Sequence, residues 1–533
     1  MMITSTSPGA GPTVASVLLR AHAEFGDLPA VRHPDGRTTS YRELGASARR
    51  CVGGLRALGA APGDRVVVLT KNRPECFVVD HALAIGGFVR VALSYRLHPR
   101  EVVDIVRDAG ARVVLVDGER AAELCTALSA ADLDPVVVEF DMPVAGSGSV
   151  GFGSLLEASE AEPADVRPED VAWMPYTSGT SGRPKGVVHT HHSLLSIMRN
   201  VLVELPGLAS TDVVAHTAPL THLSGYAMLA GFLRGASQIA LDRFDAEELV
   251  AVVERHRVTV LPLVPTMINM LLPVLEAGGR DVSSVHTVLY GGSPIAPERL
   301  ARALRAFGPV FVQGYGLTEM PWASWLTRQD HLVRDDERAA GLPDRLGSAG
   351  RVSPFAQLRL VDADGAVVPD GEPGEIQLRG DARMAGYWNL PDETAATVLD
   401  GGWLATGDIG RMIDGFLHVV DRKKDMIVTG GFNVYPTEVE NAIYALPGVA
   451  EVAVVGVPDE RWGETVRAVV VRRPGAEVAT EDIEQACTAS IAAYKRPRSV
   501  EFVDELPRTG TGKIMRRAVK ERYWSGHDRL VNG

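Results

Sequence analysis

At 533 residues and a formal net charge of −13, the chain is too long for one hydrophobic core and too acidic to grip a nucleic-acid backbone. No span of about 18 uninterrupted apolar residues occurs, which excludes a membrane-crossing helix. Four scattered cysteines, Cys51, Cys76, Cys125 and Cys487, without CxxC spacing, suit a reducing cytoplasm and exclude a cysteine-rich zinc site.

Met1 to Thr13 is polar, rich in Gly, Ser and Pro, and lacks the regions of a signal peptide, so a frayed tail is expected. Beyond it, β-branched runs alternate with amphipathic stretches up to about residue 380. Strands are predicted at 65–69, 112–116, 135–139, 213–216, 258–261, 285–289 and 310–313, with helices over 246–255 and 297–306. Such alternation builds βαβ units with mostly parallel sheets, where ligands bind beyond the carboxyl ends of strands.

The most informative segment is Tyr176-Thr-Ser-Gly-Thr-Ser-Gly-Arg-Pro-Lys-Gly186, which follows the apolar run Val171-Ala-Trp-Met. Backbone N–H groups and hydroxyls on a Gly-rich turn, with the mobile charge of Lys185, suit a phosphate. The spacing is not that of a P-loop, because Pro184 precedes the lysine and Gly186 follows it. His189, His191 and His192 read as the start of a helix after this loop. The loops Tyr290-Gly-Gly-Ser-Pro and Gln313-Gly-Tyr-Gly-Leu-Thr-Glu319 each follow a predicted strand and should face the same crevice.

From about Gln357 shorter strands and turns, such as Leu358-Arg-Leu-Val, Asp362–Gly365 and Gly374-Glu-Ile-Gln-Leu, predict a small β-barrel-like subdomain. The charged cluster Arg422-Lys-Lys-Asp425 then opens a compact α+β segment. The expected division is therefore 1–423 for a large α/β domain and 424–533 for a small α+β domain.

Five motifs together resemble the adenylate-forming superfamily of acyl-CoA synthetases, luciferases and peptide-synthetase adenylation domains. They are the phosphate loop, Tyr315-Gly-Leu-Thr-Glu319, Gly402-Trp-Leu-Ala-Thr-Gly-Asp408, Asp421-Arg-Lys-Lys-Asp425 with Gly430-Gly431, and Pro507-Arg-Thr-Gly-Thr-Gly-Lys513. Ser181 stands where the family more often has threonine. The resemblance implies attack of a carboxylate on the α-phosphate of ATP, giving an acyl-adenylate and pyrophosphate. A thiol of CoA, or of a carrier protein's phosphopantetheine arm, then displaces AMP. Such chemistry needs positive charge and donors around the reacting phosphorus.

By resemblance Thr177, Ser178, Gly179, Thr180, Ser181, Gly182 and Lys185 follow the β- and γ-phosphates. Thr318 donates to the α-phosphate, while Glu319, with Thr180, holds Mg²⁺, a hard cation that prefers oxygen. Asp408 grips the ribose hydroxyls with Arg422 as its partner. Tyr315 and Gly291-Gly292 form the adenine slot, with Ser293 and Gly316 beside them among the cofactor-binding positions. Read without the family, Glu319 suits a helix N-terminus, Asp408 a turn, and Tyr315 a core.

Lys513 is implied to bridge the carboxylate and the α-phosphate from the small, mobile C-terminal domain. That domain rotates between half-reactions about Lys424, and Gly430 and Gly431 then line the pantetheine tunnel. A plain hairpin turn remains the alternative for the glycine pair.

His222 matches the gate between the carboxylate pocket and the thiol tunnel. Leu223 stands where amino-acid-activating relatives place an aspartate, and Gln313 where diacid-specific relatives place an arginine. Pocket walls are expected from Tyr226, Met228, Gly291, Gly292, Gly314, Met320, Pro321, Trp322 and Trp325, which suits an aryl, cinnamate-like or medium-chain acid. Trp322 and Trp325, at helical spacing, also fit a core. Alternatives to CoA ligation are loading of an acyl carrier protein and adenylation of an acid, even nitrite, for bonding to an amine. A homodimer is compatible with the chain.

Overall fold

The computed structural model describes residues 11–141, 148–178, 184–205, 207–334, 336–337, 344–423, 425–429, 432–459, 461–508 and 514–524. Two nine-stranded sheets carry the larger part of the chain. The first three predicted strands appear as Arg65–Thr70, Val113–Val116 and Val136–Glu139 in one sheet, where Arg65–Thr70 also pairs in parallel with Val89–Ser94. The last four appear as Val213–His216, Val260–Leu263, Thr287–Gly291 and Phe311–Leu317, parallel neighbours in the other. Their β-branched residues are buried on both faces, as parallel strands covered by helices must be.

The helices form for local reasons. Ala246–His256 starts at Asp245, whose side chain accepts the Glu248 N–H, and it buries Leu249, Val250, Val252 and Val253 on one face. Pro297–Phe307 has proline in its first turn, buries Leu300, Ala301 and Ala303, and stops at Gly308, where φ is +83°.

Two sequence expectations change. Gln313 to Leu317 continue the strand Phe311–Leu317 rather than forming a loop. Only Thr318 and Glu319 turn the chain back into Met320–Leu326, which pairs antiparallel with it. Trp322 and Trp325 therefore lie on a strand, not on a helix.

The strands after Gln357 form the expected small β unit as an open antiparallel sheet ordered Gln357–Val361, Gly374–Arg379, Leu404–Ile413, Phe416–Arg422. A fourth sheet belongs to the C-terminal part. The hairpin of Val449–Asp459 and Gly463–Arg472 is joined by Ile427–Thr429, Phe432–Val434 and the parallel strand Ser499–Phe502. Its two hydrophobic clusters draw only on residues from Ile427 onward, so a small domain with its own core follows the large one. No helix among the described residues is long and apolar enough to cross a membrane.

Candidate active site

The residues on either side of the phosphate-loop sequence form paired strands. Tyr176–Ser178 pairs antiparallel with Pro184–Thr190, setting Lys185 opposite Thr177 and Pro184 opposite Ser178. Gly179, Thr180, Ser181 and Gly182 lie outside the described residues, whereas Thr177, Ser178 and Lys185 form the stem. His189 belongs to the returning strand, while His191 and His192 begin the helix His191–Glu204, capped by Thr190.

On its other side, the returning strand pairs with Gly386–Tyr387, Val187 opposite Tyr387. That register carries Tyr387 to the foot of the loop. The Lys185 ammonium stands 5.1 Å from the centre of the Tyr387 ring and 4.0 Å from Glu393 Oε1. The Tyr387 hydroxyl donates to Glu319 Oε1 at 2.7 Å, and the Met384 N–H donates to the Glu319 carbonyl at 2.7 Å. Burial first, then Glu319, pushes the Tyr387 hydroxyl well above its ordinary range, so it remains a donor. Lysine, tyrosine and carboxylate thus form one connected group.

Behind the turn, His189 is fully buried. Its Nε2 lies 2.7 Å from the Thr318 carbonyl and its Nδ1 lies 3.2 Å from Ser193 Oγ. A carbonyl can only accept, so Nε2 carries the proton. Desolvation lowers the His189 pKa to about 4, and the ring is neutral.

Asp408 lies on the strand Leu404–Ile413 and meets Tyr315 of the strand Phe311–Leu317. Its Oδ2 accepts the Tyr315 hydroxyl at 2.8 Å, its Oδ1 lies 3.4 Å from Arg422 Nε, and the strands place Asp408 directly opposite Arg422. Burial raises the Asp408 pKa while Arg422 opposes the shift. The expected Asp408–Arg422 partnership is present. Tyr315 adds a bond that the sequence did not signal.

The glycines have a packing reason. A Cβ on Gly314 would stand 2.1 Å from Trp322 Cε3, and one on Gly316 would stand 2.6 Å from the Trp322 nitrogen. At Gly291 it would meet the Gly314 carbonyl oxygen at 2.4 Å, so this glycine brings two strands together. Gly292 is exposed with φ +83°, and Ser293 follows it in the same loop.

The expected pocket walls lie in the largest core. Tyr226, Met228, Met320, Trp322 and Trp325 belong to one buried cluster, and Pro321 is buried beside them. Trp322 and Trp325 stack at 4.9 Å and 10°, and Tyr226 meets Trp322 edge-on at 6.2 Å. Trp322 adopts φ +62°, a strained conformation for a bulky residue, and both indole N–H groups are buried without a hydrogen-bond partner. His222 is exposed at the start of the helix Leu223–Leu233, its Nδ1 2.6 Å from Thr221 Oγ1. Gln313 Oε1 accepts the Tyr290 hydroxyl at 3.1 Å.

Lys424, Gly430, Gly431 and Lys513 lie outside the described residues. Around them, Asp421 accepts the Thr437 N–H at 2.9 Å and pairs with Arg516 at 3.1 Å. Tyr387, His189, Tyr315 as a hydroxyl donor, and Arg516 are the groups that sequence reasoning missed.

A hairpin stem bearing Lys185, the Thr318-Glu319 turn and the buried carboxylate of Asp408 are thus linked through Tyr387 and Tyr315 on an α/β fold. The family model "AMP-binding enzyme" matches residues 18–388 and "AMP-binding enzyme C-terminal domain" matches residues 438–513. The chain belongs to the AMP-binding enzymes, within the adenylate-forming superfamily that its five motifs resemble. A feruloyl-CoA synthase from Amycolatopsis sp is 40% identical over 499 residues, which is 93% of this chain and 96% of that protein. The medium/long-chain-fatty-acid–CoA ligase FadD8 of Mycobacterium tuberculosis is 39% identical over 496 residues, 90% of this chain and 84% of that one. Among solved structures, the anthranilate CoA ligase AuaEII in complex with anthranoyl-AMP aligns with a TM-score of 0.87 at 27% identity. That alignment covers 96% of this chain and 97% of that one.

Proposed function

We propose that the chain ligates an aryl, cinnamate-like or medium-chain carboxylic acid to the thiol of CoA through an acyl-adenylate. The carrying observation is the ribbon Phe311–Leu317/Met320–Leu326. It carries Tyr315, bonded to Asp408, just before the turn Thr318-Glu319, which is tied through Tyr387 to Lys185. A carboxylate suited to the ribose diol and a lysine suited to the phosphates are thus both linked to this one ribbon.

Lys185 and the hairpin stem neutralise the triphosphate, and the Thr318 side chain donates near the α-phosphate. Among the described residues no cluster of three or more potential metal ligands gathers. Glu319, a half-buried carboxylate oriented by the Tyr387 hydroxyl, suits Mg²⁺, which keeps water and phosphate oxygens and needs only one or two protein carboxylates. That ion, when bound, offsets charge on the phosphates. Lys513 bridges the two anions from the small domain, 424–533, which then turns about Lys424 to admit the thiol.

The relatives named as a feruloyl-CoA synthase and a medium/long-chain-fatty-acid–CoA ligase support a flat or aliphatic acid over a sugar acid. One feature favours CoA over a carrier protein. The small domain exposes Phe432 (57%) and Tyr494 (42%), paired at 4.9 Å, and sets Arg461 and Arg498 over the ring of Trp462. Aromatic faces beside guanidinium groups suit a purine and its phosphates. The four thiols are free, in keeping with a cytoplasmic enzyme.

The test is a panel of carboxylic acids assayed for pyrophosphate release with CoA, without thiol, and with a phosphopantetheinylated carrier protein. Acid-dependent release with thioester formed on CoA is expected. Thioester on the carrier alone, or product formed with an amine and no thiol, would overturn the assignment.

A further inference from the structure

Arg299 lies on the outer side of the large-domain helix Pro297–Phe307, a place where a lone arginine normally faces water. Instead it is half-buried, and its Nη2 donates to the carbonyls of Val449 (3.1 Å) and Ala450 (2.9 Å) in the small domain. Its guanidinium also stands 4.7 Å from the ring centre of Tyr444, again in the small domain. These partners are two carbonyls and an aromatic face, so the contact is directional rather than a loose ion pair.

The gripped carbonyls sit at a telling place. The next residue, Glu451, forms an ion pair with Arg508, and Arg508 pairs across the chain with Ile514 as an isolated bridge. Those two residues flank the segment that contains Lys513. Two residues beyond Ile514, Arg516 bonds Glu440 at 2.9 Å and Asp421 at 3.1 Å, and Asp421 lies on the last strand of the large domain's third sheet. Both flanks of the lysine segment are thereby referred to large-domain residues, and the upstream flank passes through Arg299. The helix bearing Arg299 begins a few residues after Gly291-Gly292-Ser293, so the clamp is anchored beside the crevice.

We propose that Arg299 is a positioning residue that docks the small domain for the adenylation half-reaction, and that it releases the domain for the thiol half-reaction. The proposal rests on the two-step reading of the function. No covalent step involves Arg299. Its two charge-assisted hydrogen bonds exist only in the docked arrangement, so it favours that arrangement and contributes nothing once the small domain turns.

The test uses the full-length enzyme with Arg299→Ala and Arg299→Lys. Acid-dependent exchange of labelled pyrophosphate into ATP reports the first half-reaction, and thioester formation from supplied acyl-adenylate and CoA reports the second. Arg299→Ala should lower the exchange kcat about tenfold, with KM for ATP and acid within about twofold, while thioester formation stays within about twofold. Arg299→Lys keeps one directed cation and should recover part of the exchange rate. It also keeps the test open should the alanine variant fold poorly. Equal losses in both halves, or exchange at the parent's rate in both variants, would overturn the proposal. A parent enzyme that exchanges no pyrophosphate with any acid would instead sink the reading of the function itself.

Discussion

The two carboxylates of the crevice are held in opposite ways. Asp408 is buried (6% exposed), with one oxygen taken by the Tyr315 hydroxyl and the other facing Arg422. Glu319 is half-buried and accepts one tyrosine hydroxyl on Oε1, with the nearby cation, Lys185, resting over the tyrosine ring rather than on the carboxylate. Asp408 is held by partners on both oxygens, which suits the rigid diol proposed as its ligand. Glu319 keeps lone pairs available for a hard cation arriving with the phosphates. On the proposed reading, the fixed carboxylate is the one that would position the ribose and the open one is the one that would coordinate the metal.

That contrast can be broken at either end. Glu319→Gln removes the charge that a metal requires and should lower the adenylation kcat about 100-fold, measured by pyrophosphate exchange. Unchanged exchange at saturating Mg²⁺ would remove Glu319 from metal binding. Asp408→Asn keeps the shape and the Tyr315 bond but weakens the diol acceptor, so KM for ATP should rise about tenfold with a smaller change in kcat. Were kcat to fall while KM stayed put, Asp408 would have to act in the reaction rather than in binding.

Tyr387→Phe deletes the single hydroxyl on Glu319. Adenylation should slow about threefold to fivefold, with a higher Mg²⁺ requirement, because the carboxylate loses its orienting donor. An unaltered Mg²⁺ dependence would reduce Tyr387 to a packing role. The mildest effect concerns the support behind the turn. His189 titrates near 4 in the folded chain against about 6.5 unfolded. The unfolded chain therefore binds more protons between those values, and the stability His189 contributes is present above about pH 6.5 and lost as pH falls toward 4. The slope is about 1.4 kcal/mol per pH unit. In denaturant titrations at pH 7 and pH 5, His189→Gln should lose less stability on acidification than the parent; parallel losses would contradict the assignment.

Sequence periodicity exposed the parallel strands because buried β-branched runs such as Arg65–Thr70 and Val213–His216 have few other uses. The motifs were found by their resemblance to the adenylate-forming superfamily, not by periodicity. Periodicity could not foresee that Gln313 to Leu317 stay in a strand, because Gly-Tyr-Gly is locally turn-like and only pairing with Thr287–Gly291 on one side and Met320–Leu326 on the other keeps it extended. Tyr387 was invisible for a related reason. Its place beside Lys185 depends on a two-residue strand pairing across some two hundred residues, which leaves no local pattern. Arg299 drew no reading of its own from the predicted helix over 297–306, since nothing in an amphipathic repeat says that another domain covers its polar face. The left-handed φ of Trp322 likewise runs against its own preference, and its ring occupies the space a Cβ on Gly314 would need.

One comparison bears on all of this most directly: Lys513→Ala set beside the parent, with each half-reaction timed separately. If a mobile ammonium joins acid and nucleotide, the variant loses nearly all acid-dependent pyrophosphate exchange yet still converts supplied acyl-adenylate and CoA into thioester. Exchange at the parent's rate, or matching losses in the two halves, would show that the crevice works some other way.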